Sequence, residues 1–370
     1  MTVLSESARQ VFVALAGHGR ATRPQLAAAC ALSKPTVSAA MAELEAADLA
    51  RRNGTAYGQT GRSAAVYQLG PQAGYVLGVD RGSTQVAYRA VALDGELLDH
   101  DHTDRPETAR SMIRTALDRR TGSGPLRAIV VAVSDVVSRG AVDPDTDARV
   151  HAAVASLELP VGAAVSVENN VNCAAIAELH EVGPHSHPHP RDTFVYLQVG
   201  IGIGAGVVVN RQLIRGANGA AGEVARLAYP WSDERAAGRE ALEARLGSPG
   251  LLRRVESRWS AAHGPVPRSA AELFALAQDA HPLAGELVAE HSAHVGRLAA
   301  SIAAVLDPGL VILGGGVGGN PLLTEGVARM LAELSWPTEL LVSTLGDRAT
   351  VLGATRLATE QGIRHTVSAG

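Results

Sequence analysis

Two helix starts stand close together near the N-terminus, and they restrict what the first part of the chain can become. Thr22 is followed by Gln25 at capping-box spacing, each side chain satisfying a backbone N–H at the start of a helix, so a helix is expected from there to about Cys30. Ala31-Leu32-Ser33 makes a short turn, Ser33 caps the next helix, and Pro35 sits in its first turn, where a missing N–H costs nothing. Upstream, residues 7 to 17 carry apolar side chains at helical spacing until Gly17-His18-Gly19 breaks the run. Val37, Met41 and Leu44 line one face of the third helix, and Ala27 and Ala31 keep the elbow small. Helix, short turn and capped helix together make the helix-turn-helix arrangement.

The opposite face of the third helix offers Lys34, Pro35, Thr36, Ser38 and Ala39, side chains short enough to let it enter a major groove. Lys34 reaches guanine edges or a phosphate, and Thr36 and Ser38 bond to either. Leu49 to Asn53, with Arg51 and Arg52, and Ala64 to Leu69 are expected as two strands around a Gly-rich tip holding Gly58, Gly61 and Arg62, a wing that meets DNA backbone or minor groove. Residues 1 to 70 hold seven Arg/Lys against four Asp/Glu, a surplus of +3 on a chain whose net charge is −4, so the remainder carries −7. That asymmetry suits a polyanion-binding head on an acidic body. A helical protein-docking module is the alternative reading of this segment.

At 370 residues the chain exceeds one ordinary core, so two or three domains are expected. With 46% apolar and 19% charged residues it has a globular composition, and it carries no long uncharged apolar run and no leader-like N-terminus, so a cytoplasmic protein without membrane association is expected. Cys30 and Cys173 are the only cysteines, too few for a disulfide framework or a cysteine-rich zinc site.

Beyond residue 74 the pattern changes to strands alternating with helices. Tyr75 to Asp80 is an apolar run ending in Asp80-Arg81-Gly82-Ser83-Thr84, followed by a strand at Gln85 to Leu93 and a turn at Asp94-Gly95. A second hairpin is expected over Tyr196 to Gln212, where Gly200, Gly202, Gly204 and Gly206 alternate in an apolar stretch and let a backbone approach a ligand or another chain segment closely. The segment Gly206 through Glu223, with Arg215-Gly216-Ala217-Asn218-Gly219-Ala220-Ala221-Gly222-Glu223, resembles the signature of the ROK family (repressors, open reading frames, kinases). Glu168-Asn169 before a helix and Leu306-Asp307-Pro308 leading to Gly314-Gly315-Gly316, where the family contacts adenosine, extend the resemblance. It implies an α/β protein with an N-terminal winged helix-turn-helix and a two-lobed actin-like ATPase/sugar kinase fold.

The departures from the family's kinase pattern bear on activity. Kinase members carry Glu-Asn-Asp-x-Asn, whose aspartate deprotonates the sugar hydroxyl. Here Asn170 stands in its place, and loss of a positioned base removes roughly 10²- to 10⁴-fold in rate. Their Gly-Gly-Thr-Lys is here Gly82-Ser83-Thr84-Gln85, which lacks the phosphate-facing cation, and their Gly-Thr-Gly is here Gly200-Ile201-Gly202. The resemblance therefore implies no catalytic residue, no enzyme activity and no cofactor. The family's zinc site is missing too, because Ala225-Arg226 replaces a Gly-His step and no cysteine follows Cys173. His185, His187 and His189 form either a metal-binding stretch or an exposed loop.

By the same resemblance, Asn169, Asn170 and Glu223 hydrogen-bond the hydroxyls of a sugar, and Arg226 stands where the family has histidine. Arg226 either turns the pocket toward a sugar phosphate or sugar acid or pairs with Glu223. Ser134-Asp135 replaces a Pro-Gly pair that helps shape the sugar site, which leaves open an effector-independent protein with an altered pocket. The expected organisation is a winged helix at 1–70, a first lobe at 74–175, a second lobe at 176–347 and a final helix, Ala349 to Gln361, returning to the first. A homodimer or dimer of dimers on a double-stranded DNA operator is expected, with repression the expected sense, because one short helix spans too few base pairs. A residual ATP-dependent sugar kinase is the remaining alternative.

Overall fold

Side-chain caps open each of the first three helices. The computed structural model describes residues 4–57, 63–120, 122–138, 144–160, 162–180, 192–227 and 241–368. Helix α1 (Glu6–His18) starts at Ser5, whose hydroxyl accepts from the Ala8 N–H at 3.2 Å. A short strand, β1 (Arg20–Thr22), leads into α2 (Arg23–Cys30), where Thr22 and Gln25 complete the expected capping box. Helix α3 (Lys34–Ala46) starts at Ser33, which accepts from the Thr36 N–H at 3.2 Å. Phe12, Leu15, Leu26, Val37, Met41 and Leu44 are fully buried, giving the three helices one core. Strands β2 (Ala50–Tyr57) and β3 (Ser63–Leu69) pair antiparallel, and β1 joins the other edge of β3 to complete a three-stranded sheet.

This wing differs from the sequence expectation in two ways. Strand β1 was not expected, since three residues carry no readable periodicity. Strand β2 continues past Asn53 to Tyr57, because an irregularity between Arg52 and Thr55 lets the pairing resume after one slip. The expected tip, with Gly58, Gly61 and Arg62, lies outside the described residues.

The chain divides into two units. One comprises Met1–Asp135, Asp145–Asn170 and Val351–Gly370, and the other Val136–Pro144 and Val171–Thr350. Beyond the winged helix, the first unit contains β4 (Tyr75–Arg81), β5 (Val86–Ala92), β6 (Leu97–Thr103), α4 (Ala109–Arg119), β7 (Leu126–Val133), α5 (Pro144–Ala155) and β8 (Val165–Asn169). Its sheet has the order β6-β5-β4-β7-β8, an antiparallel meander followed by two parallel strands. Central β4 is buried from Tyr75 to Asp80, as a strand covered on both faces must be. The C-terminal helix (Ala349–Ser368) is tied to this sheet by the Ser166 hydroxyl on Gln361 at 2.9 Å and by His365 Nδ1 on the Arg127 carbonyl at 3.2 Å.

In the second unit, α6 (Asn170–His180) precedes β9 (Phe194–Val199), β10 (Ile203–Val209) and β11 (Gln212–Ile214). Then come α7 (Ala241–Leu246), α8 (Ser248–Arg258), α9 (Ala270–Gln278), α10 (Pro282–Leu306), β12 (Leu310–Gly314), α11 (Pro321–Leu334) and β13 (Glu339–Val342). The order β11-β10-β9-β12-β13 repeats the topology of the first sheet. Helix α10 buries Leu287, His291, Val295, Leu298 and Ile302 along one side. The units part at Asn170/Val171, so most of α6 counts with the second unit, whereas the sequence expectation placed the crossing at 175/176.

Among the described residues, no helix is long and apolar enough to cross a membrane, and no group of three or more His, Cys, Asp or Glu side chains is placed to hold a metal ion. The expected histidine stretch at 185, 187 and 189 lies outside them.

Candidate functional site

Helix α3 turns its apolar side inward and leaves Lys34, Pro35 and Ala39 exposed, with Thr36 and Ser38 half-buried beside them. Thr36 Oγ1 lies 2.7 Å from Ser33 Oγ, so its hydroxyl is engaged in the helix cap, and Lys34 and Ser38 are the polar groups this surface offers outward. The turn before the helix is closed by Ala31 in the left-handed region (φ 51°), with the Leu32 N–H on the Ala27 carbonyl at 3.1 Å. Arg51 and Arg52 are both exposed on β2, but neighbours on a strand point to opposite faces, so one flat partner meets only one of them. Arg23 is held away from that surface, over the Tyr67 ring at 5.1 Å and 3.7 Å from Glu45.

The residues expected at an effector site are divided between the units. Asn169 and Asn170 belong to the first, Glu223 and Arg226 to the second. Asn169 ends β8, is buried, and donates its amide to the Asp135 carbonyl at 3.3 Å, while its backbone N–H meets buried Glu168 at 3.1 Å. The Asp135 carboxylate is in turn held by Arg149 at 3.0 Å. Asp135 thus positions the asparagine, a role that only its place in the loop after β7 hinted at. Asn170 is half-buried at the first turn of α6.

Asp80, at the end of β4, is 5% exposed, and burial pushes its carboxyl up to about 7. The first hairpin therefore presents a carboxyl that is partly protonated near neutral pH.

In the second unit the alternating glycines have separate uses. A side chain at Gly206 would meet Ala175 Cβ at 2.6 Å and the Val171 carbonyl at 2.9 Å, so this glycine lets α6 lie directly on β10. Gly200, at the hairpin tip, instead faces the Gly316 N–H, and the Ser248 hydroxyl pins its carbonyl at 2.7 Å. Val317 donates to the Val199 carbonyl at 3.3 Å, which seats the loop after β12 against the same tip. The hairpin tip and the loop after β12 therefore meet backbone to backbone. Ile201, next to Gly200 at that tip, is 53% exposed and has no hydroxyl to offer.

Glu223 is half-buried and precedes a single 3-10 turn, Val224–Arg226. That turn buries Val224 and Ala225 and swings Arg226 outward, where it is exposed and forms no ion pair among the described residues. The alternative in which Arg226 pairs with Glu223 is not seen among the described residues. Their one bond is between backbones, from the Arg226 N–H to the Glu223 carbonyl at 3.0 Å.

A profile of the ROK family matches residues 76–361. A glucokinase from Halalkalibacterium halodurans is 24% identical over 322 residues, covering 78% of this chain and 96% of that protein. Among solved structures, a ROK family transcriptional regulator, a homologue of the E. coli MLC protein, is 20% identical with a TM-score of 0.71 and covers 98% of both chains. The ROK hexokinase from Thermus thermophilus is 29% identical with a TM-score of 0.60, covering 78% of this chain and 99% of the hexokinase.

Proposed function

The chain belongs to the ROK family, and we propose that within it this protein is a DNA-binding transcriptional regulator whose kinase-shaped body senses a small molecule and transfers no phosphate. One observation carries the reading. The kinases it resembles are covered almost end to end by about four-fifths of this chain, while the likeness to a regulator extends over the remaining N-terminal part, where the winged helix stands.

The winged helix supports a reader that places α3 in a major groove with Lys34 and Ser38 toward the bases or backbone. Lys34→Ala is expected to weaken operator binding about 5- to 100-fold and to lower the salt dependence by roughly one counterion per protomer, measured by fluorescence anisotropy across a salt series. Unchanged affinity would remove α3 from the interface. Two copies of the chain are proposed to bind one operator, since two-fold symmetry pairs half-sites about one helical turn apart.

The loss of phosphoryl transfer is supported by Asn170 at the start of α6, Ile201 at the exposed tip of the second hairpin and Gln85 where the family's kinases carry lysine. An amide cannot take a proton from an attacking hydroxyl. Asn170→Asp alone is expected to yield no turnover above background in a coupled ATP and sugar assay, because Ile201 and Gln85 remain. Phosphorylation by the unaltered protein would favour the residual-kinase reading, to which the glucokinase likeness gives weight.

The effector is proposed to be a sugar, sugar phosphate or sugar acid held by Asn169, Asn170 and Glu223, with exposed Arg226 available to an anionic group. Its binding shifts DNA affinity by its differential affinity for two states, commonly about 1–3 kcal/mol.

A further inference from the structure

Residues 70–74 carry the chain from β3 of the winged helix to β4 of the first sheet, and backbone hydrogen bonds hold them on both sides. Toward the winged helix, the Gly70 N–H donates to the Leu49 carbonyl at 2.9 Å and the Gln72 N–H to the Asp48 carbonyl at 3.0 Å. A side chain at Gly70 would stand 2.1 Å from that Asp48 oxygen, so glycine lets the link lie directly on the turn between α3 and β2. Within the link, Pro71–Ala73 forms a single 3-10 turn, closed by the Ala73 N–H on the Gly70 carbonyl at 3.0 Å. Toward the sheet, the Tyr75 N–H meets the Pro125 carbonyl at 3.0 Å, and a side chain at Gly124 would stand 2.1 Å from the Pro71 carbonyl oxygen.

The carbonyls of Gln72 and Ala73 are both taken by one side chain. Arg127, the second residue of β7, donates Nε to the Ala73 carbonyl at 2.9 Å and Nη2 to the Gln72 carbonyl. Two donors on one rigid plane fix the turn's position and its orientation together, which the single ammonium of a lysine does not. The side chain is half-buried, and burial holds it below the ordinary arginine value, so the guanidinium has exchanged water for these carbonyls. The Arg127 backbone carbonyl lies 3.2 Å from His365 Nδ1, which braces the same point from the C-terminal helix. From here β4 and β7 run side by side, Tyr75 next to Leu126. They end roughly 20 Å away at Asp80 and at the loop whose Asp135 carbonyl holds Asn169.

We propose that residues 70–74 form a rigid joint pinned by Arg127, which makes Arg127 a positioning residue for the winged helix: the first sheet carries the reader instead of tethering it. A displacement of β4 or β7 at the Asp80 and Asp135 ends then reaches α3 without being absorbed in the link. The rigidity rests on these contacts alone, whereas its service to DNA binding rests on the regulator reading.

Amide hydrogen exchange of the full-length protein tests the joint. The Gly70, Gln72, Ala73 and Tyr75 amides are expected to exchange at least about 100-fold more slowly than in a free peptide. Arg127→Met is expected to raise those rates about tenfold or more and to leave the amides of α3 and of β4 beyond Tyr75 unchanged. Arg127→Lys, which keeps one donor, should fall between the two. The unaltered protein decides rigidity without any variant, and free exchange of its link overturns the proposal. Arg127→Met rates equal to those of the unaltered protein also overturn it, as does a loss of protection spread evenly over α3 and β4, which marks a general contribution to stability.

The positioning role is read by anisotropy on labelled DNA from the gene's own upstream region and on unrelated DNA of the same length. Arg127→Met is expected to lower the specific affinity about tenfold, since a loose joint lowers the effective concentration of the second reader, and to leave the charge-set affinity for unrelated DNA unchanged. Unchanged specific affinity beside faster exchange in the link overturns the positioning role. If the unaltered protein binds no DNA specifically, the regulator reading fails and the exchange rates still decide the joint.

Discussion

Asp80→Asn is expected to stabilise the protein by about 4 kcal/mol at pH 8 and by almost nothing at pH 4. The carboxyl of Asp80 is buried at the end of central strand β4, and burial raises it from 3.8 to about 7. Its proton is bound more tightly in the folded state than in the unfolded chain. Stability is therefore fully present below about pH 4, falls as pH rises toward 7, and is lost once pH has passed the folded value. The amide has the same shape and never ionises, so the variant lacks that decline. Urea unfolding of both proteins at a series of pH values measures it. Curves that stay parallel from pH 4 to pH 8 would show that Asp80 ionises freely in the fold. His291 and His294 act in the opposite sense. Held near 3 and 4, chiefly by burial, they cost stability as pH falls below 6.5, because the unfolded chain then takes up protons that the folded protein refuses. Between about pH 4 and 6.5 the two effects oppose one another, and the difference between the wild type and Asp80→Asn isolates the carboxyl.

Gly222→Ala is expected to destabilise the protein by roughly 3–5 kcal/mol and to displace Glu223. Gly222 has φ +84°, a backbone region that costs an alanine about 1–2 kcal/mol. A methyl there would also stand 1.8 Å from the Ala205 carbonyl oxygen, an overlap that no rotamer relieves. The same carbonyl belongs to the residue whose N–H meets the Gly222 carbonyl at 3.0 Å, so the strain would break the tie that holds the turn on β10. Thermal unfolding gives the stability change. A wild-type midpoint in the alanine variant would mean that this loop is free to move away from the strand. Any effector held by Glu223 should bind more weakly in the variant even at temperatures where it remains folded.

The elements that the sequence made legible are those specified by local chemistry. Ser33, Pro35, Thr22 and Gln25 define helix starts through atoms a few residues away, and α2 and α3 have the starts expected from them. Strand β1 was not legible, because three residues draw their pairing from distant β3. The alternating glycines were readable as places of close approach, but only the fold shows that α6 is what approaches Gly206 while Gly200 faces the loop after β12. Arg226 was expected in the pocket by its place in a motif. The turn that buries Val224 and Ala225 leaves it exposed, which its place in the motif did not reveal. The bonds from Arg127 to Ala73 and Gln72 left no sequence signal, since the partners lie 54 and 55 residues apart and meet only when β7 pairs with β4.

The central claim, a reader of DNA governed by a sensor without kinase chemistry, is tested most directly by anisotropy of labelled DNA from the gene's own upstream region. The protein is titrated at fixed salt, with and without a panel of sugars and sugar phosphates, because phosphate-contact affinity falls steeply with ionic strength. The account predicts sequence-specific binding that Lys34→Ala weakens and that at least one ligand shifts by about 5- to 150-fold. Binding no tighter than to unrelated DNA of the same length, with or without ligands, would contradict it.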